Sequence, residues 1–188
     1  ISKPLSPYAI TKYVNELYAD IFQKSYGLNY IGLRYFNVFG RRQDPDGAYA
    51  AVIPKFISKL ISHESPKING DGSFSRDFTY IDNVILMNVL CITTQNKSAL
   101  NQIYNTAVGD RTSLLELVNY LKKYLCKFDK SISKVIIKHG PNRIGDIPHS
   151  LASIEKAITK LNYKPLHKIE KGIISSISWY YKNLKRNK

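Results

Sequence analysis

The stretch "SPYAITKYVNELYADIFQKSYGLNYIGLRYF" (Ser6 to Phe36) decides the fold class. Ser6 is a helix-capping residue type, Pro7 suits the first helical position, and Ile10, Val14, Leu17, Tyr18 and Ile21 recur on one face until Gly27. This pattern predicts an amphipathic helix. "YIGLRYF" (Tyr30 to Phe36) then concentrates β-formers between Gly27-Leu28-Asn29 and Asn37, which predicts a buried strand. A helix followed directly by a buried strand reads as α/β.

The next segment, "NVFGRRQDPDGAY" (Asn37 to Tyr49), is long for a loop in a compact domain, and such loops commonly carry function. Further on, the pattern predicts a helix around Pro54 to Ile61, a hairpin through "INGDGS" (Ile68 to Ser73), a helix from about Asp82 to Thr94 and the strand "QIYNTAV" (Gln102 to Val108). Ser113 and Glu116 form a capping-box pattern ahead of another helix. A strand near Val135 to Lys138, the loop "HGPNRIGDIPHS" (His139 to Ser150) and two terminal helices separated by Lys164-Pro165 complete the order.

With 188 residues and 44% hydrophobic content the chain can bury a core. No apolar run is long enough to span a membrane and no signal peptide is visible, so a cytoplasmic protein without a membrane partner is expected. Cys91 and Cys126 lack CxxC spacing, which predicts reduced, buried thiols. The histidines at 63, 139, 149 and 167 show no paired ligand spacing, and no metal is expected. A formal charge of +14 calls for anionic partners and raises the alternative of a basic nucleic-acid-binding module. Against that alternative, the basic residues are dispersed, only "KNLKRNK" (Lys182 to Lys188) clusters, and no zinc-finger or RNP-type motif occurs. No nucleic-acid partner is expected.

Tyr8 and Lys12 stand four residues apart on the first helix and can present their heads to one ligand. A phenol with an ordinary pKa near ~10 is a poor base at neutral pH, and a neighbouring ammonium favours its phenolate. Such a pair can take a proton from an alcohol. The YxxxK spacing alone is weak, because Tyr181 and Lys185 repeat it in the terminal helix.

"SPYAITK", "GLRYFNVFGRRQDPDGAYAAVIPKF", "INGDGSFSRDFTYIDNV", "YNTAVGDRTSL" and "RIGDIPHS" follow one another in the order typical of extended short-chain dehydrogenase/reductases. The chain resembles the NAD-dependent epimerase/dehydratase branch of that family, and within it the bacterial UDP-N-acetylglucosamine 4-epimerases that serve surface polysaccharides such as O-antigen. The resemblance implies the C-terminal part of a Rossmann-type doubly wound sheet with a smaller α/β substrate-binding region. Residues 1–40 would belong to the NAD-binding domain and 41–188 mainly to the nucleotide-sugar region, with about 81–108 returning to the Rossmann domain.

By the same resemblance, Tyr8 exchanges a proton with the sugar 4-hydroxyl and Lys12 bonds the nicotinamide ribose. Hydride leaves sugar C4 for NAD, and returns to the other face of the 4-keto sugar. Tyr35 and Phe36 meet the nicotinamide end of the cofactor. Asn37, Arg76 and Arg143 contact the substrate diphosphate, a task suited to guanidinium forks. Asp146 lies near the uridine ribose, Asn69 borders the uracil site, and Gln43, Ala51 and Ser150 make room for an acetamido group. A homodimer is implied, with the helix from Pro7 to Tyr26 in its interface.

Several features depart from the family pattern. No glycine-rich turn for the NAD pyrophosphate occurs, and the Ser/Thr partner upstream of the tyrosine is missing. Pro148 and Ser153 also differ from the motif. The chain therefore reads as the second half of such an enzyme, and by itself is expected to be inactive. A nucleotide-sugar dehydratase or decarboxylase would share Tyr8 and Lys12, and an inactive fragment is the remaining alternative.

Overall fold

The computed structural model describes residues 4, 6–47, 51–142 and 147–184. Helix α1 spans Pro7–Tyr26: the Ser6 side chain accepts from the Ala9 N–H, Pro7 opens the first turn, and Gly27 closes the helix at φ 68°. Strand β1 (Ile31–Tyr35) follows and pairs in parallel with β6 (Gln102–Thr106), from Ile31 opposite Gln102 to Tyr35 opposite Thr106. Between them lie β2 (Val38–Phe39), α2 (Val52–Ile61), β3 (Lys67–Asn69), β4 (Ser75–Arg76), β5 (Thr79–Tyr80) and α3 (Ile81–Thr93). After β6 come β7 (Thr112–Ser113), α4 (Leu114–Leu125), β8 (Lys138–Gly140), α5 (Glu155–Leu161) and α6 (Ile169–Leu184).

Alternation along β1 sends its residues to two faces. Gly32 and Arg34 border a cleft beneath α1, while Ile31 and Leu33 pack with Leu86 and Leu90 of α3 and with the buried Met87 and Tyr104. Helices on both faces of a parallel pair are the doubly wound arrangement that the sequence predicts.

A second, larger core joins α2, α4 and α6 around Phe39, Leu60, Leu121 and Ile177. Gly172 of α6 lets that helix lie close against the rest of this core: a Cβ there would lie 2.7 Å from Phe39 and 2.8 Å from Tyr80. The two cores are clipped together by Asn83 of α3, which donates to the His167 carbonyl at 2.7 Å and accepts from the Leu166 N–H at 2.7 Å. The predicted capping box at Ser113 and Glu116 is present at the start of α4.

Four expectations need correction. No hairpin forms through Ile68 to Ser73: β3 pairs in parallel with β8, and β4 pairs antiparallel with β7. Gly70 and Gly72 do adopt the left-handed turn conformations their residue type permits, at φ 73° and 87°. The strand expected near Val135 to Lys138 begins only at Lys138: a 3-10 turn over Lys130–Lys134 is capped by Val135, and the chain pairs with β3 only from Lys138. Cys91 and Cys126 are free but only half-buried. Finally, the strand expected to be buried, β1, has no fully buried residue and leaves Tyr35 exposed; the apolar stripe of the neighbouring α1, from Ile10 and Val14 to Tyr18 and Ile21, is exposed too, and no residue of that helix is buried.

Leu121 is fully buried at the centre of the larger core. Leu121→Ala should lower stability by about 2–5 kcal/mol in equilibrium denaturation, whereas the same change at exposed Leu115 should cost far less.

Candidate active site

The face of α1 that turns towards β1 carries Tyr8, Lys12, Asn15, Glu16 and Ala19. Together with Gly32 to Tyr35 and Ile103 these residues line a cleft of about 500 Å³. Tyr8 is 64% exposed, and the Lys12 ammonium lies 5.2 Å from its ring centroid. The helix is pinned by Arg34, whose Nε and Nη2 donate to the two Glu16 carboxylate oxygens at 2.6 Å each. That hydrogen-bonded carboxylate pushes the guanidinium further up, so the arginine stays charged.

A second cleft of about 280 Å³ opens just past the C-terminal end of β1, lined by Asn37, Ala51, Asn69, Arg76, Phe78 and Leu114 among others. Ligands of open α/β sheets gather at that end of the strands. Asn37 holds a left-handed φ of 32° and its carbonyl accepts from the Thr79 N–H, which fixes the turn from β1 into β2. Ala51 is the N-cap of α2 and offers no side-chain cap. The first-turn N–H groups of α2 therefore lack a side-chain partner there and carry the positive end of the helix dipole. Arg76 donates to the Ser75 and Pro148 carbonyls at 2.9 and 3.2 Å.

Asp77 sets the position of Arg76. Its fully buried carboxylate accepts from the Val108 and Gly109 N–H groups at 3.0 and 2.9 Å, tying the β4–β5 link to the end of β6. Burial pushes this carboxyl up.

The structure thus brings Tyr8, Lys12 and Tyr35 to one cleft, and Asn37, Ala51, Asn69 and Arg76 to the next. Tyr35 also donates from its hydroxyl to Asn88 at 3.2 Å. Three predicted residues line neither cleft. Phe36 donates its N–H to the Thr106 carbonyl, Gln43 turns its amide to the Val38 carbonyl at 3.3 Å, and Ser150 bonds through its N–H to the Ser75 carbonyl. Arg143 and Asp146 lie outside the described residues, as does Lys185 of the second YxxxK. Sequence reading missed Glu16 and Arg34. The signal available was Glu16 at four residues from Lys12 and eight from Tyr8, on the same helical face.

The model of the NAD dependent epimerase/dehydratase family matches residues 1–107. The chain belongs to this family. It is 40% identical to the UDP-N-acetylglucosamine 4-epimerase of Methanobrevibacter ruminantium, solved in complex with UDP-N-acetylmuramic acid, with a TM-score of 0.84 over 96% of this chain and 55% of that one. A Thermotoga maritima UDP-glucose 4-epimerase solved with UDP-glucose is 35% identical, with a TM-score of 0.86 over 97% of this chain and 55% of that one. The Bacillus cereus UDP-glucuronic acid 4-epimerase, in complex with UDP-glucuronic acid and NAD, is 28% identical, with a TM-score of 0.79 over 100% and 55%. These likenesses bear out the Rossmann-type α/β fold. The chain spans about half the length of the curated relatives it matches.

The residues present fit the nicotinamide ribose end of NAD: an exposed phenol and an ammonium in one cleft suit a ribose diol and a sugar hydroxyl. No glycine-rich turn that would cradle the pyrophosphate occurs in the sequence. Among the described residues no helix is long and apolar enough to cross a membrane.

Because burial raises the Asp77 carboxyl, the folded protein keeps that proton to higher pH than the unfolded chain does. Its contribution to stability is full below the ordinary carboxylate range and is lost as pH rises through the raised value. The stability of the native chain relative to Asp77→Asn should therefore fall as pH rises above the ordinary carboxylate range, as read by denaturant titration at each pH; a rise with pH there would refute the assignment.

Proposed function

We propose that the complete protein interconverts the C4 epimers of a UDP-hexosamine, UDP-N-acetylglucosamine and UDP-N-acetylgalactosamine, with NAD as resident cofactor. The observation that carries this reading is the adjacency of the two clefts, with the Tyr8–Lys12 pair in one and Asn37, Asn69, Arg76 and the start of α2 in the other. A helix N-terminus beside an arginine is a favourable seat for a diphosphate. With the diphosphate there, the sugar would extend towards Tyr8.

Tyr8 would accept the proton of the sugar 4-hydroxyl and later return it, while Lys12 keeps a positive charge beside the ring and reaches the nicotinamide ribose. The cofactor supplies a reversible hydride acceptor at sugar C4. Residues 1–40 and about 81–108 would serve the NAD-binding domain, and the remainder, with Arg143, Asp146, Gln43 and Ser150, the nucleotide sugar. The exposed apolar stripe of α1 supports a homodimer through that helix. Supply of a surface polysaccharide in the cytoplasm accords with such a product. The relatives' different sugars leave UDP-glucose and UDP-glucuronate as the competing substrates.

Incubation of the complete gene product with UDP-N-acetylglucosamine and NAD should yield UDP-N-acetylgalactosamine, followed by proton NMR of the anomeric signals. Tyr8→Phe should lower kcat by about 10²–10⁴-fold. No conversion of any UDP-sugar by NAD-loaded protein would sink the proposal, and a stable 4-keto-6-deoxy product would make the protein a dehydratase.

A further inference from the structure

The reading above gives no task to Arg34 and Glu16, although both line the cleft that holds Tyr8 and Lys12. Their side chains are 30% and 20% exposed, and the two parallel bonds at 2.6 Å form a bidentate fork. Among the described residues these are the hydrogen bonds that join α1 to another element, and α1 buries no residue. The fork therefore sets how the helix bearing Tyr8 and Lys12 sits on the strand that leads to Asn37.

Glu16 also poses a hazard to the pair. It follows Lys12 by four residues, the spacing at which a carboxylate and an ammonium on one helix face attract each other. In the structure both Glu16 oxygens are taken by Arg34, and the Lys12 ammonium lies at the Tyr8 ring instead. An arginine suits this task, because its planar fork engages two oxygens at once and keeps its charge at any physiological pH.

We propose that Arg34 is a positioning residue for Tyr8 and Lys12: by occupying both oxygens of Glu16 it fixes α1 against β1 and keeps that carboxylate off the Lys12 ammonium. The inference rests on the proposed role of the Tyr8–Lys12 pair. Loss of Arg34 releases Glu16, which captures Lys12 and deprives the phenol of its neighbouring charge.

The test uses the complete gene product as native protein, Arg34→Leu, Glu16→Gln and the double variant. Arg34→Leu should lose at least about tenfold in kcat with little change in KM, and the acid limb of its kcat profile should move up by about one pH unit. The double variant, which lacks the competing carboxylate as well as the fork, should return the acid limb to its native position while kcat stays lowered. In the crystal structure of Arg34→Leu, the Lys12 ammonium should contact Glu16. An equal shift of the acid limb in the single and double variants, a lowered melting temperature with unchanged kcat, or Lys12 still at the Tyr8 ring would each overturn the proposal. If Arg34→Leu does not fold, Glu16→Gln decides: an unshifted pH profile supports the proposal and a shift equal to about one unit refutes it. Native protein that converts no UDP-sugar would sink the epimerase reading, while the position of Lys12 in the Arg34→Leu crystal structure still decides the role of Arg34.

Discussion

The parallel pairing of β1 with β6 is the constraint from which the rest follows. Two parallel strands cannot be joined by a tight turn, so the chain must leave the end of β1 and travel back before β6 can begin. Here that return runs from Phe36 to Asn101 and contains α2, four short strands and α3. The long excursion is what places Asn37, Ala51, Asn69 and Arg76 together beyond the C-terminal end of β1. The second cleft is thus a by-product of topology, furnished with polar groups by the residues at its rim.

Holding that excursion in place falls to a few buried polar side chains. Asp77 gathers two backbone N–H groups from the end of β6, and Asn83 gathers backbone groups ahead of α6. Each satisfies donors or acceptors that would otherwise be orphaned inside the protein. They are short-range locks between distant parts of the chain, and they connect the small core under β1 and β6 to the larger one under α2, α4 and α6. Apolar packing supplies most of the driving force in both cores, while these locks choose one arrangement of the strands that carry the site.

Helix α1 is attached differently. Its apolar stripe faces away from the strand, and a bidentate ion pair does the work that burial does elsewhere. The consequence is chemical as well as mechanical, since the same face carries Tyr8 and Lys12. Glu16 stands four residues from Lys12, and both its carboxylate oxygens are held by Arg34 instead.

Local patterns were legible in the sequence because their causes are local. Ser6, Pro7 and Gly27 bound α1, Ser113 and Glu116 cap α4, and Gly70 and Gly72 turn the chain; each depends on neighbours a few residues away. The family motifs likewise pointed to Tyr8 and Lys12, and to four residues of the second cleft. Pairing partners were not legible in the same way: Ile68 to Ser73 read as a hairpin because its turn chemistry is real, yet β3 pairs with β8, about seventy residues on. Nor could spacing reveal that Arg34 would meet Glu16, or that Ala51 would open α2 onto a cleft. Residue order therefore determined the helices, the turns and the four-residue spacing of Tyr8 and Lys12, whose causes act within a turn or two of chain. Tertiary structure alone decided which strands pair, which face of α1 turns inward and which charges neutralise each other, because those contacts join residues that only the folded chain brings within reach.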